Sequence, residues 1–160
     1  MDRSRALGEA SSSALERAAE LKAAAARIRA GSRGHRGAAL RVAVPRAPTA
    51  GAIARRHLEA YLDGCPDAVI YDAKIAASEL INNAYRHGEG AIELIVERHT
   101  GFIRIEVGDE GSTGADRVRR AKGRRGLEIV EALSLRWGAY AGSTHVWAEL
   151  TMSPRVEQGG

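Results

Sequence analysis

Glu79, Asn83 and His87 recur at four-residue intervals in the segment ASELINNAYRHGEG, residues 77–90. Four residues along a helix bring a side chain back to within about 40° of its starting direction, so the three form one polar stripe. A carboxylate there can take a proton from a water or a hydroxyl, and an amide oxygen can ligate a hard cation. Farther on, VGDEG (107–111) sets Asp109 just past a strand-like run, where a buried carboxylate can accept a ligand's N–H. A glycine- and arginine-rich stretch follows, and KGRRGL (122–127) opens a helical segment. Helix N-termini present free N–H groups and partial positive charge, which favour phosphate. Glycines allow close backbone approach, and the arginines add charge. Taken alone, the stripe reads most simply as a water-satisfied surface. Taken with the later boxes, it is one part of a nucleotide-site constellation.

These residues need elements to position them. LRVAV (40–44) is a short strand that Pro45 stops. Thr49 is the expected cap of a helix over 50–63, with Ala54, Leu58, Tyr61 and Leu62 on one side and Gly64 at its end. Asp67 is the expected cap of a second helix over 68–87, with an apolar face of Ile70, Ala73, Ala77, Leu80, Ile81 and Ala84. The polar stripe should lie roughly opposite that face, and Gly88 should end the helix. AIELIVER (91–98) and FIRIEVGD (102–109) alternate apolar and polar residues across the short connection HTG, which predicts an antiparallel hairpin. Residues 110–126 hold four glycines and no large apolar run, with six Lys/Arg among residues 117–125, and read as a mobile loop. LEIVEALSLRW (127–137) resumes a helix through Ile129, Val130, Leu133 and Trp137. RWGAYA, a turn at Gly142-Ser143-Thr144 and HVWAELTM form a closing hairpin. Hairpin-paired strands with helices segregated to one face give an α+β, two-layer sandwich with a mostly antiparallel sheet.

The bulk numbers narrow the class. The chain has 160 residues, 44% hydrophobic and 28% charged, the size of one domain with a proper core. Its net charge of +4 is unevenly placed. Residues 1–39 carry eight Lys/Arg against four Asp/Glu, while residues 40–160 carry sixteen of each. The body is therefore neutral, which argues against nucleic acid as its main ligand. Residues 1–38, with a capping-box pattern at Ser13 and Glu16, read as a basic arm, part helical or disordered, outside the core; residues 154–160 read as a tail. Cys65, the single cysteine, forms no intrachain disulfide and suits a reducing cytoplasm. No run has the length or hydropathy of a signal peptide or a membrane span.

ASELINNAYRHG resembles the N box of the GHKL ATP-binding superfamily, VGDEG its G1 box and GRRGL its G2 box. GRRGLEIVEALSLRWG looks most like the anti-sigma factor serine kinases of that superfamily. The likeness covers residues 40–152 and implies a Bergerat-type ATP-binding fold, with residues 39–153 as the domain. Position by position, it implies Glu79 as general base and Asn83 as the Mg2+-coordinating asparagine beside the triphosphate. Asp109 matches the aspartate that accepts from the adenine amino group, Gly111 tightens that turn, and Thr144 matches a threonine that supports the aspartate. Gly123, Arg125, Gly126 and Leu127 fall in the phosphate loop. No Walker-type G-x-x-x-x-G-K-[ST] string occurs.

The implied function is an ATP- and Mg2+-dependent protein serine/threonine kinase that acts on an anti-anti-sigma partner of STAS type and sequesters a sigma factor in the cytoplasm; a homodimer is one state that occurs in that family. Glu79 at the first N-box position favours this reading, since histidine kinases usually carry an amide there. The alternative is a non-catalytic regulator that keeps the fold for partner binding with weak or no nucleotide. Arg124, standing where many relatives have a further glycine, and a short lid between Gly111 and Gly123 motivate it.

Overall fold

A computed structural model of the chain describes residues 38–111, 113–121, 125–140 and 143–153. The basic arm with its capping box, the C-terminal tail and Gly123 lie outside the described residues.

The described elements are β1 (Leu40–Val44), α1 (Ala50–Tyr61), α2 (Asp67–His87), β2 (Ile92–Arg98), β3 (Phe102–Gly108), α3 (Gly114–Ala121), α4 (Arg125–Leu133), β4 (Arg136–Ala139) and β5 (Val146–Thr151). The five strands form one sheet in the order β1-β2-β3-β5-β4, and every neighbouring pair is antiparallel. The expected α+β sandwich is therefore the observed one. Alternation explains the register. Leu94 pairs with Val107 and Val96 with Ile105, while Ile105 pairs with Ala148 and Ile103 with Leu150, so one face of the sheet is continuously apolar. Ala54, Leu58 and Leu62 of the first helical segment and Ala73, Ala77, Leu80, Ile81 and Ala84 of α2 are buried in the same core.

Several local expectations need correction. Thr49 stands at the N-cap of α1 in helical conformation and makes no side-chain cap bond; its carbonyl accepts Ile53 N–H at 3.1 Å. Pro66, not Asp67, holds the N-cap of α2, its carbonyl accepting Val69 N–H at 2.9 Å, so Asp67 belongs to the first turn. Residues 114–121, read as part of a mobile loop, form α3. Thr113 starts it: its hydroxyl donates to the Asp116 carboxylate at 2.7 Å and accepts Asp116 N–H at 3.2 Å, while Val118 packs against the core. The helix expected through Trp137 ends at Leu133. Ser134 closes it by donating its hydroxyl to Val130 O at 2.6 Å, and Leu135 N–H already reaches Glu149 O at 2.8 Å, so the chain has joined the sheet and Trp137 lies in β4.

The sheet face away from the helices carries charge under aromatic cover. Arg104 is 2% exposed and Glu149 1% exposed, and they pair at 2.6 Å. Trp147 lies over the Arg104 guanidinium at 4.4 Å, and the Tyr140 hydroxyl bonds the same group. Glu106 pairs with His145 at 2.6 Å beside them.

Candidate functional site

Helix α2 supplies the site because one of its flanks is neither core nor solvent. Its apolar stripe faces the sheet, and α4 packs alongside it. The polar stripe expected opposite the core is thus turned toward α4. Glu79 and His87 are half-buried, and Asn83 is only 6% exposed. A cavity of about 120 Å³ opens between the two helices, lined on one side by Glu79, Asn82, Asn83, Arg86 and His87 and on the other by Arg125, Gly126 and Leu127.

Two features give the cavity its chemistry. Neither the Oδ1 nor the Nδ2 of Asn83 has a hydrogen-bond partner, although both are buried. A buried polar atom without a partner costs free energy that folding normally avoids, so an orphaned amide on a cavity wall points to a ligand. The opposite wall is the first turn of α4, where backbone N–H groups lack intrahelical acceptors. The Glu79 carboxylate is pressed against that turn: a Cβ at Gly126 would lie 2.5 Å from Glu79 Oε2. A carboxylate, an amide and an anion-attracting helix end thus share one hollow, with the exposed Arg125 at its rim.

Asp109 does not line this cavity. It sits just past β3, against the exit of α2, and its side chain has no exposed surface. Its Oδ1 accepts Gly111 N–H at 2.9 Å, which closes a tight turn. Gly88, the residue that ends α2, is pressed so closely on the carboxylate that any Cβ there would fall inside it. The two turns are stapled together, Glu110 N–H to Glu89 O at 3.0 Å and Ala91 N–H to Glu110 Oε2 at 3.1 Å. Thr144 lies in the β4–β5 connection beside His145. The sequence-expected residues therefore group along α2 as an open hollow at Glu79, Asn83 and residues 125–127 and a covered turn at Asp109 and Gly111.

The fit to a Mg2+-nucleotide divides the same way. The hollow is of phosphate size, below the roughly 300–1,000 Å³ of a typical ligand pocket, and its orphan amide suits a hard cation that keeps most of its waters. The Asp109 end offers a carboxylate acceptor and is sealed. Among the described residues no group of three or more His, Cys, Asp or Glu is placed to hold a metal, so a cation here would take its other ligands from water or phosphate.

Sequence reasoning missed three participants. Asn82 and Arg86 line the hollow, and Arg46 reaches the Asp109 end from the β1–α1 turn. Asn82 and Arg86 flank the stripe and were legible from helical spacing; nothing local to Arg46 points across 38 residues to α2.

A family model described as Histidine kinase-like ATPase domain matches residues 44–148. A crystal structure of the RsbU and RsbW domains of Rv1364c from Mycobacterium tuberculosis aligns with a TM-score of 0.50 at 23% identity, over 72% of this chain and 31% of that one. The chain thus spans about a third of that protein's length. No match is found among curated proteins. Among the described residues, no helix is long and apolar enough to cross a membrane.

Proposed function

The chain belongs to the histidine kinase-like ATPase family, and from that premise we propose that it is an ATP-binding anti-sigma regulatory factor that phosphorylates a serine of an anti-anti-sigma partner. The observation that carries the nucleotide reading is the buried, partnerless amide of Asn83 facing the first turn of α4. Asn83 Oδ1 would hold Mg2+, which when bound supplies charge neutralisation to the triphosphate. The N–H groups that open α4 and the Arg125 guanidinium bind phosphate oxygens. Glu79 takes the proton of the attacking hydroxyl, and its contact with Gly126 keeps the base beside the phosphate turn. Asp109 accepts from an adenine amino group, Gly111 closes its turn, and Thr144 takes the supporting role that the family resemblance implies. The bound protein requires that end to open.

The kinase and anti-sigma parts of the reading rest on the sequence: Glu79 at the first N-box position and the GRRGLEIVEALSLRWG stretch. The partner is a STAS-type protein carrying the acceptor serine, and a sigma factor is the regulated target. Calorimetry with Mg-ATP and a phosphotransfer assay with candidate STAS-type proteins test it in three forms of the chain. Glu79→Ala should keep nucleotide affinity and lose transfer, while Asn83→Ala should lose the Mg2+-dependent part of the affinity. Absence of Mg-ATP binding by the wild type refutes the nucleotide reading. The second reading, a partner-binding regulator without catalysis, is favoured by the sealed Asp109 end and by Arg124 in the glycine loop. Nucleotide binding without transfer to any such partner would establish it.

A further inference from the structure

Arg46 belongs to none of the motifs, yet its side chain is held at three backbone carbonyls near the site. The turn that launches α1 fixes its backbone, with Ala47 N–H on Pro45 O at 2.8 Å and Ala50 N–H on Ala47 O at 2.9 Å. Its guanidinium crosses to the exit of α2. There Nε donates to Gly90 O at 2.8 Å, and Nη1 donates to Ala84 O at 3.1 Å and Tyr85 O at 2.9 Å. The last two carbonyls come from the final turn of α2, where a cation is favoured, and Ala84 O also accepts Gly88 N–H at 2.8 Å. A planar fork held at three acceptors is pre-organised.

The remaining nitrogen, Nη2, is buried with no hydrogen-bond acceptor. It stands 4.0 Å from Asp109 Oδ2, while the other Asp109 oxygen takes Gly111 N–H. One carboxylate oxygen thus takes a backbone donor, and a positive charge stands near the other. Its plane matters for chemistry. A carboxylate aimed at the six-position of a purine accepts from an amino group and repels an oxo group.

We propose that Arg46 is a positioning residue for purine recognition: clamped by the α2 exit, it fixes the Asp109 carboxylate so that the subsite takes an amino-bearing purine and refuses an oxo-bearing one. The inference rests on the reading of Asp109 as the base-binding carboxylate.

Calorimetry on the full chain with Mg-ATP, Mg-GTP and Mg-tripolyphosphate tests it. Arg46→Met should weaken ATP binding about tenfold, or about 1.4 kcal/mol, and shrink the ATP-to-GTP ratio by a similar factor. Tripolyphosphate, which has no base, should bind within about twofold of wild type. Arg46→Lys keeps the charge without the fork and should recover part of the ratio. Equal losses for ATP and tripolyphosphate would reduce Arg46 to a structural clamp, and an unchanged or stronger ATP affinity would remove its role; either overturns the proposal. If Arg46→Met does not fold, an unchanged ATP-to-GTP ratio in folded Arg46→Lys overturns it as well. Asp109→Asn separates the two readings. ATP binding that survives Asp109→Asn defeats the base-site assignment itself, whereas binding lost in Asp109→Asn with the ratio intact in Arg46→Met defeats only the role of Arg46.

Discussion

Replacing Asn83 by leucine should make the empty protein more stable and the nucleotide-bound protein less so. The side chain is 6% exposed, and both of its polar atoms lack partners. An unsatisfied buried polar group costs about 1–3 kcal/mol. Water entering the adjoining hollow repays part of that, so the lower half of the range, about 1–2 kcal/mol, is expected to be recovered by a leucine of similar size. For a domain of this length that is a rise of roughly 3–10 °C in Tm. Ligand reverses the order. Mg-ATP at a hundred times its Kd adds about 2.7 kcal/mol to the wild type and little to Asn83→Leu, which has no oxygen for the cation. Melting curves with and without Mg-ATP, followed by circular dichroism, should therefore cross. A leucine variant that melts below wild type without ligand would mean that the amide is satisfied in the folded protein. Equal ligand shifts in both proteins would mean that Asn83 does not hold the metal.

Gly126→Ala sets a Cβ 2.5 Å from Glu79 Oε2; displacing the base by even about 1 Å should slow phosphotransfer on the order of a hundredfold, read as kcat at saturating ATP, with Tm changed little. Gly88→Ala drives a methyl into the Asp109 carboxylate and should lower stability by about 1–3 kcal/mol, measured by urea titration, while abolishing ATP binding. Glu149→Leu removes the nearest carboxylate from the buried Arg104, which keeps Glu106 at 3.6 Å and the Tyr140 hydroxyl, and should lower stability by about 1–3 kcal/mol, measured by urea titration. Burial raises the Glu106 carboxyl, but the hydrogen bond and charge of His145, the charge of Arg104 and the Tyr140 hydroxyl outweigh it and hold the group below its ordinary 4.5. Near and below pH 4.5 the unfolded chain therefore binds more protons at this site than the native one. The contribution is full above that pH and is lost as pH falls through the lowered folded value. Glu106→Gln should flatten the acid limb of the stability curve there, and an unchanged limb would refute the assignment.

The Thr113–Asp116 bonds show where one-dimensional reading stops short. A capping box three residues wide was present in the sequence, but with Val118 as the only large apolar residue in α3 the period of burial was too weak to distinguish a helix from a loop. Trp137 erred in the opposite direction. Its spacing from Leu133 continues the helical period, and only the pairing of Leu135 N–H with Glu149 O, a residue 14 positions later, pulls the chain into the sheet. Glu79, Asn83 and His87 were legible as a stripe because helix geometry is local. Their facing was not, because the docking of α4 decides it.

By itself the sequence determined the elements whose burial period is strong: α1, α2, the β2–β3 hairpin and β5, and with them the layered α+β class. It also determined the chemical types available and their order along the chain. Only the tertiary structure decided that Asn83 is buried without a partner, that Glu79 lies against Gly126, and that Arg46 reaches Asp109 from another turn. The physical reason is range. Propensity and periodicity act over a few residues, whereas desolvation and charge pairing depend on what packing brings together from distant parts of the chain.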